Sequence, residues 1–323
     1  MTNTHTFYEN NENYFRDIHK IFPEAPKLIT FDATDTLVEL REEVGFYYME
    51  AWKNITYESR VQYKQTTQNV SVDLPPQKKF TDAFYNSFKE TNAKYPSFGL
   101  EHNIKPKEWW RKVVHNTYIL VYSSLDPKIH KNEIEWFAWE LGKNSALLNE
   151  IFELLYSNLF TSDQVWKVRS GVLDVLQSFA KRKKNLQSVV ASNKKHSNTL
   201  YLAVLSNNDD RLPVILENVG ILDYFDHVFT SCELKVSKPD PEIFIRTLSH
   251  VKAEIEHLLP IQCMHIGDSF SKDVIGASSC GWHAIHVPRD RGITSKNNEK
   301  PLNYSTVDDL YGVLKIYDSY EKF

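Results

Sequence analysis

The chain has 323 residues, 41% of them hydrophobic and 25% charged, with a formal net charge of −4. That length is more than one compact core usually serves, so two domains are expected, and 17 Tyr, 18 Phe and 7 Trp supply enough bulk to fill them, which excludes disorder as the default. The mildly acidic balance shows no domain-wide basic surface and argues against nucleic acid as a partner. No stretch approaches the ~18 consecutive apolar residues of a membrane span.

Residues 1–26 read as a polar extension with a short helix around Tyr14–Ile21. The extension lacks the apolar run of a secretory signal and is too acidic for a transit peptide. A cytosolic or nuclear location is therefore the default expectation. Cys232, Cys263 and Cys280 show no CxxC pairing, so reduced thiols are expected rather than disulfides or a zinc site.

Lys27–Phe31 is a short apolar run, predicted to be a buried strand that stops at Asp32. From Glu42 to about Thr161 the apolar residues recur at helical spacing. Val44, Tyr47, Tyr48, Ala51 and Trp52 form one stripe; Trp109, Trp110, Val113, Val114 and Tyr118 form another. Roughly five helices and no strand are expected there. After Thr161, helices over about Val172–Arg182, Arg211–Val219, Pro241–His257, Asp273–Ser279 and Val307–Tyr317 alternate with strands near Leu200–Leu205, His227–Thr230, Gln262–Ile266 and Ala284–Val287. Such alternation means βαβ units and a parallel sheet. The expected organisation is an α/β core of residues 27–41 plus 163–323, interrupted by an all-helical insert at 42–162. The basic run Lys181–Lys184 reads as a solvated helix end, and the polar stretch from Lys183 to Thr199 as a surface loop.

In an open α/β sheet, ligands gather at the carboxyl ends of the strands. Four polar clusters are expected near such ends: Asp32-Ala33-Thr34-Asp35-Thr36-Leu37, Leu205-Ser206-Asn207-Asn208, Ser237-Lys238-Pro239-Asp240-Pro241, and Gly267-Asp268-Ser269 with Asp273 after it. Singly, each has an ordinary reading as a turn or a helix start. Together they would bring Asp32, Asp268, Lys238 and Ser206 to one sheet edge, where unpaired carboxylates are costly. The combination suits phosphoryl transfer: a carboxylate nucleophile, hard oxygen ligands for Mg²⁺, and Lys and Ser for the phosphoryl oxygens.

These clusters resemble the four motifs of the haloacid dehalogenase (HAD) superfamily. FDATDTL matches the first at Asp32 and Thr36, LSNN the second at Ser206, SKPDPEIF the third at Lys238, and HIGDSFSKDVIGA the fourth at Asp268 and Asp273. The helical insert stands where that superfamily places a C1-type cap. Its segments YPSFG (95–99) and EWWRKVV (108–114) are similar to the domain-containing-protein-3 subgroup of HAD-like hydrolases, which also departs from the usual DxDGT. The resemblance implies a Rossmannoid α/β fold and a small phosphorylated metabolite as substrate. It makes Asp32 the nucleophile. The Mg²⁺ ligands would be Asp32, Asp268 and the main-chain carbonyl of Thr34, with Asp273 supporting the site or binding the metal. Ser206 and Lys238 would hold the phosphoryl group. Oligomeric state is not legible.

Thr34 is the departure. Most phosphatases of the superfamily carry Asp there, which protonates the leaving oxygen and then activates water. A Thr hydroxyl does neither well, and general acid–base help is worth about 10²–10⁴ in rate. The resemblance leaves three readings open: a substrate whose leaving group needs no proton, compensation by Asp35, or a non-catalytic binding or regulatory protein on the same scaffold. For Asp35 the ordinary reading is a turn residue capping the next helix. Metal-free dehalogenases of the superfamily lack the second Asp too, although clustered Asp268 and Asp273 have less use in such a site. Phosphonate hydrolases use a cap lysine, a part open to Lys53. In the cap, Trp109, Trp110 and Arg111 are candidate substrate contacts, although an aromatic pair on a helix is more often core. Tyr95–Gly99 is a candidate entrance loop.

Overall fold

The predicted first strand is β1 (Leu28–Phe31), and all four of its residues are buried. In a computed structural model of the chain, which describes residues 19–66, 73–143, 146–192, 200–289 and 303–320, β1 lies between β4 (Tyr201–Ser206) and β6 (Cys263–Gly267) and pairs in parallel with both. A short β2 (Val38–Leu40) pairs with β3 (Trp166–Val168) in a separate two-stranded sheet. The main sheet adds β5 (His227–Thr230), β7 (His283–His286) and β8 (Tyr304–Thr306), in the order β5-β4-β1-β6-β7-β8. Every pairing in it is parallel. Parallel strands need covering on both faces, hence the nearly unbroken apolar runs. Side chains alternate across β1. Leu28 joins a core with Ile243, Phe244, Leu248 and Val251, while the Phe31 ring meets Phe179 edge-on at 6.2 Å.

Contacts divide the chain into two units. One takes the chain up to Val38, Val168–Asn207 and the chain from Ile221 onward; the other takes Glu39–Lys167 and Asn208–Gly220. The second unit holds α1 (Val44–Ile55), α2 (Tyr57–Thr66), α3 (Gln77–Lys94), α4 (Pro106–Ser123), α5 (Lys131–Lys143) and α6 (Ala146–Glu153). Among the described residues these are six helices, against the roughly five that the periodicity suggested. The core of the unit is aromatic. Trp52 stacks on Tyr118 at 4.6 Å and donates its Nε1–H to the Tyr122 hydroxyl at 2.8 Å. The Tyr118 hydroxyl donates to the Tyr48 carbonyl. Trp52 and Tyr118 thus bury area with their polar tips satisfied. Among the described residues, no helix is long and apolar enough to cross a membrane.

The segment Asn208–Gly220, expected with the sheet, groups with the helices through side chains that pattern reading does not pair. Asp209 is fully buried and takes two bonds from the Arg211 guanidinium, at 2.9 and 2.7 Å, one from the Arg211 main-chain N–H at 3.0 Å and one from Trp110 Nε1. The Arg211 guanidinium lies 3.9 Å from the Tyr156 ring centre, a cation–π contact.

Other boundaries moved. The helix α7 runs from Val172 to Ser192, ten residues past the expected end, so Lys181–Lys184 lies inside it and not at its tip. Arg182 pairs with Asp318 and Lys183 with Asp226, which gives that basic run partners. The rest of the expected loop, 193–199, lies outside the described residues, as does most of the N-terminal helix, of which His19–Ile21 is helical. Next come α8 (Leu212–Asn218) and α9 (Ser231–Leu234). After them, α10 (Pro241–Val251) ends six residues early. The helix expected at Asp273–Ser279 is a π-type turn over Phe270–Ile275 and then α11 (Gly276–Ser279). Strand β8 has no counterpart in the periodicity, and α12 (Leu310–Ser319) comes after it.

Candidate active site

Asp32 comes directly after the last residue of β1, and its N–H donates to the Ile266 carbonyl of β6 at 2.8 Å. The sheet therefore sets its position directly. Lys238 reaches it from the segment after α9, not from a strand end as expected. The Lys238 ammonium is almost entirely buried. It donates to Asp32 Oδ1 at 2.8 Å, to the Leu205 carbonyl at 2.8 Å and to Asp273 Oδ1 at 2.6 Å. Those three acceptors match the three donors of an ammonium group. Burial alone would lower the Lys238 pKa, but the charges of Asp273 and Asp32 outweigh it and the net shift is upward.

The main chain of Lys238 is pinned as well. Its N–H donates to Asn207 Oδ1 at 2.7 Å, and Asn207 Nδ2 donates back to its carbonyl at 2.8 Å. Asp240 then caps α10 by accepting from the Glu242 N–H, with Pro241 in the first turn, so the predicted helix start holds.

Asp268 and Asp273 lie beyond the end of β6. Asp273 is buried, and both its oxygens are engaged: Oδ1 by Lys238 and His265, Oδ2 by the Ser269 N–H at 2.9 Å. Burial would raise its pKa, but Lys238 and His265 together hold it well below the usual carboxylate range. Gly267 is required here, because a Cβ at that position would stand 2.2 Å from the Asp273 carboxyl carbon. The Asp268 carbonyl accepts from His286 Nε2 at 2.9 Å.

Asp32, Asp268 and Asp273 each offer an oxygen within 4.8 Å of the others. Three carboxylates thus face one ammonium. The imbalance shows at Asp268, whose pKa is pushed up to about 7 by burial first and then by Asp32, Asp273 and Asp35. An all-oxygen set with uncompensated negative charge fits a hard divalent cation such as Mg²⁺.

The raised Asp268 pKa links stability to pH. Between an ordinary Asp value of 3.8 and about 7, the folded metal-free chain retains a proton that the unfolded chain has released. Stability therefore falls as pH rises through that window. Melting curves in chelator should show this decline, and Asp268→Asn should flatten it. An equally steep decline in the variant would remove Asp268 as its source.

Ser206 ends β4, buried and paired in register with Thr230 of β5. Thr34 is exposed, and its backbone bridges Val38. Asp35 sits at φ +60°, the left-handed region that explains the Gly usual at this place. The chain leaves Asp35 through a turn into β2, so Asp35 caps no helix, contrary to expectation. Its carboxylate pairs with Arg289 at 3.3 Å, and its carbonyl accepts from Arg169. The buried Thr36 hydroxyl has no partner among the described residues.

In the helical unit, Trp109 is core, fully buried with its Nε1–H on the Tyr95 carbonyl. Trp110 binds Asp209, Arg111 pairs with Glu108 and Glu153, and Lys53 pairs with Glu50. The expected entrance loop Tyr95–Gly99 runs into a short 3-10 stretch, Ser97–His102, with Phe98 and Gly99 at positive φ. Sequence reasoning missed Asn207, His265, His286 and Arg289. The available signals were the second residue of Ser-Asn and a lone His inside an otherwise apolar strand.

A family model for haloacid dehalogenase-like hydrolases matches residues 26–281. Haloacid dehalogenase-like hydrolase domain-containing protein 3 of Bos taurus is 30% identical over 261 residues, covering 81% of both chains. The rhythmically expressed gene 2 protein of Drosophila melanogaster is 27% identical over 264 residues, 81% of this chain and 82% of that one. Among solved structures, a 2-haloacid dehalogenase from Pseudomonas syringae aligns with a TM-score of 0.50 at 20% identity, covering 91% of this chain and 99% of that one. A dehalogenase with an intermediate complex aligns at 0.51 and 14% identity, covering 91% and 97%. At those identities the structures speak for the fold, and the extent of the sequence matches speaks for the family: the chain belongs to the haloacid dehalogenase-like hydrolases.

Proposed function

We propose that the protein is a Mg²⁺-dependent phosphohydrolase in which Asp32 is the nucleophile, acting on a small phosphorylated metabolite whose leaving group departs without a proton. One observation carries this reading: Lys238, Asp32, Asp268 and Asp273 meet at the carboxyl ends of β1 and β6. Asp32, Asp268 and the Thr34 carbonyl would hold the metal, with Asp273 in support. Bound there, Mg²⁺ supplies positive charge where the phosphoryl oxygens gather.

An Asp32 oxygen attacks phosphorus, and the bond from phosphorus to the leaving oxygen breaks with its electron pair going to that oxygen. Water then cleaves the aspartyl–phosphate bond, which releases inorganic phosphate and restores Asp32. Lys238 and Ser206 hold phosphoryl oxygens, and Lys238 keeps Asp32 charged and oriented. Thr34 cannot protonate an alkoxide, so the leaving group is one that is stable as an anion: the carboxylate of an acyl phosphate or the phosphate of an anhydride.

Thr34 also favours a second reading, a HAD scaffold retained for binding without turnover. A thermal-shift experiment with Mg²⁺ and beryllofluoride, which mimics an aspartyl-phosphate, separates the two. At 100-fold excess over Kd, binding to the native state contributes about 2.7 kcal/mol. A Mg²⁺-dependent rise in Tm is expected for the wild type and not for Asp32→Asn. No rise in either would refute the catalytic reading. Metal-independent turnover of a halogenated acid would replace it with the dehalogenase one.

A further inference from the structure

His265 is fully buried in the middle of β6, and the proposed chemistry does not use it. Its register partner on β1 is Thr30, so the two side chains share one face of the sheet. The Thr30 hydroxyl lies 2.8 Å from His265 Nδ1. On the other side of the ring, Nε2 lies 3.1 Å from Asp273 Oδ1, the same oxygen that accepts from Lys238. Phe244 closes the third side, edge-on at 5.2 Å. A continuous line of hydrogen bonds therefore runs Thr30, His265, Asp273, Lys238, Asp32.

We propose that His265 is a positioning residue: held by Thr30 with its proton on Nε2, it fixes the Asp273 carboxylate that in turn sets the Lys238 ammonium beside Asp32. The contact with Asp273 selects this tautomer. A bare Nε2 lone pair facing a carboxylate oxygen would be repelled, whereas an Nε2–H is a donor to it. The Thr30 hydroxyl lies 3.3 Å from the Met264 carbonyl and 2.8 Å from Nδ1; with the proton on Nε2 it donates to the nearer Nδ1, so both ring nitrogens are satisfied. The Ser269 N–H holds Oδ2 of Asp273, and the His265 Nε2–H anchors Oδ1, the oxygen that also accepts from Lys238. The arrangement is the one by which partners behind a reacting or metal-binding group lock its orientation.

The consequence for turnover rests on the proposed function, but the geometry can be tested without any substrate. In ¹⁵N-labelled protein, His265 should show the Nε2–H tautomer, and the caged Lys238 ammonium should give a slowly exchanging Nζ resonance. His265→Gln keeps a donor near the Nε2 position; His265→Leu removes it; Thr30→Val removes the hydroxyl behind Nδ1 and serves if the leucine variant does not fold. Lys238 Nζ proton exchange is expected to rise at least tenfold in His265→Leu or Thr30→Val and to return towards wild type in His265→Gln. A role in packing alone would leave exchange alike in all variants, and that result, or an Nδ1–H tautomer, would overturn the inference. If Lys238 exchange responds in this way while beryllofluoride gives no shift in the wild type, the positioning role stands and the catalytic reading is the one that fails.

Discussion

Replacing Lys238 with methionine is expected to cost about 3–5 kcal/mol of stability, the usual result of removing one partner from a buried ion pair. The lysine is 4% exposed and stands between two carboxylates. Methionine fills similar volume, so the loss comes from charge and not from a cavity. Asp32 and Asp273 would face each other across the old ammonium position with no cation between them. Urea unfolding near pH 7.5 measures the cost. The double variant Lys238→Met with Asp273→Asn should recover a substantial part of it, because one of the carboxylates left without a cation is then neutral. Costs that simply add would show that the pair is not coupled, and a Lys238→Met cost below about 1 kcal/mol, the scale of an exposed pair, would show that the triad is not a buried unit. Bound Mg²⁺ should also reduce the penalty, since it supplies positive charge to the same carboxylates.

Thr34→Asp is expected to raise hydrolysis of alkyl phosphates by about 10²–10⁴, the range that a positioned general acid–base group contributes. Formation of the aspartyl-phosphate from an acyl phosphate should gain far less, because a carboxylate leaves without a proton, whereas the later attack of water is common to both substrates. Thr34 is exposed, and exposed substitutions commonly change stability by about 0.5 kcal/mol or less, so a rate change can be read as chemistry. The informative quantity is the ratio of the two substrate classes in wild type and variant. If neither rate moves although beryllofluoride binds, the missing acid is not what limits the site. Asp35 is held differently from a residue in an ordinary turn: its backbone lies in the left-handed region and its carboxylate pairs with Arg289.

The site shows why some of it could be read from the chain and some could not. Asp32, Lys238, Asp268 and Asp273 are recognisable because each sits in a short motif with backbone demands of its own. Gly267 must make room for Asp273, and Asp240 and Pro241 must start α10. Asn207 and His265 act at a distance. Asn207 touches a residue 31 positions away, and His265 lies 235 positions from Thr30. Each therefore looks like an ordinary turn or strand residue in its own neighbourhood. The limit of α7 differs from expectation for a related reason. Lys183 stays helical where it can pair with Asp226 on a different element, a partner that helix propensity does not register.

The alternation of strands and helices, the helical insert, the four motif clusters and the exceptional Thr34 were all legible in the chain, because they depend on local periodicity and on residue types at fixed short spacings. Three further facts emerge only on packing: one ammonium is shared among Asp32, Asp273 and the Leu205 carbonyl, a histidine stands behind Asp273, and Asn208–Gly220 groups with the helices. They depend on which side chains the parallel sheet and the buried Asp209–Arg211 pair bring within hydrogen-bond reach. That proximity is a property of the folded chain and is written in no single stretch of it.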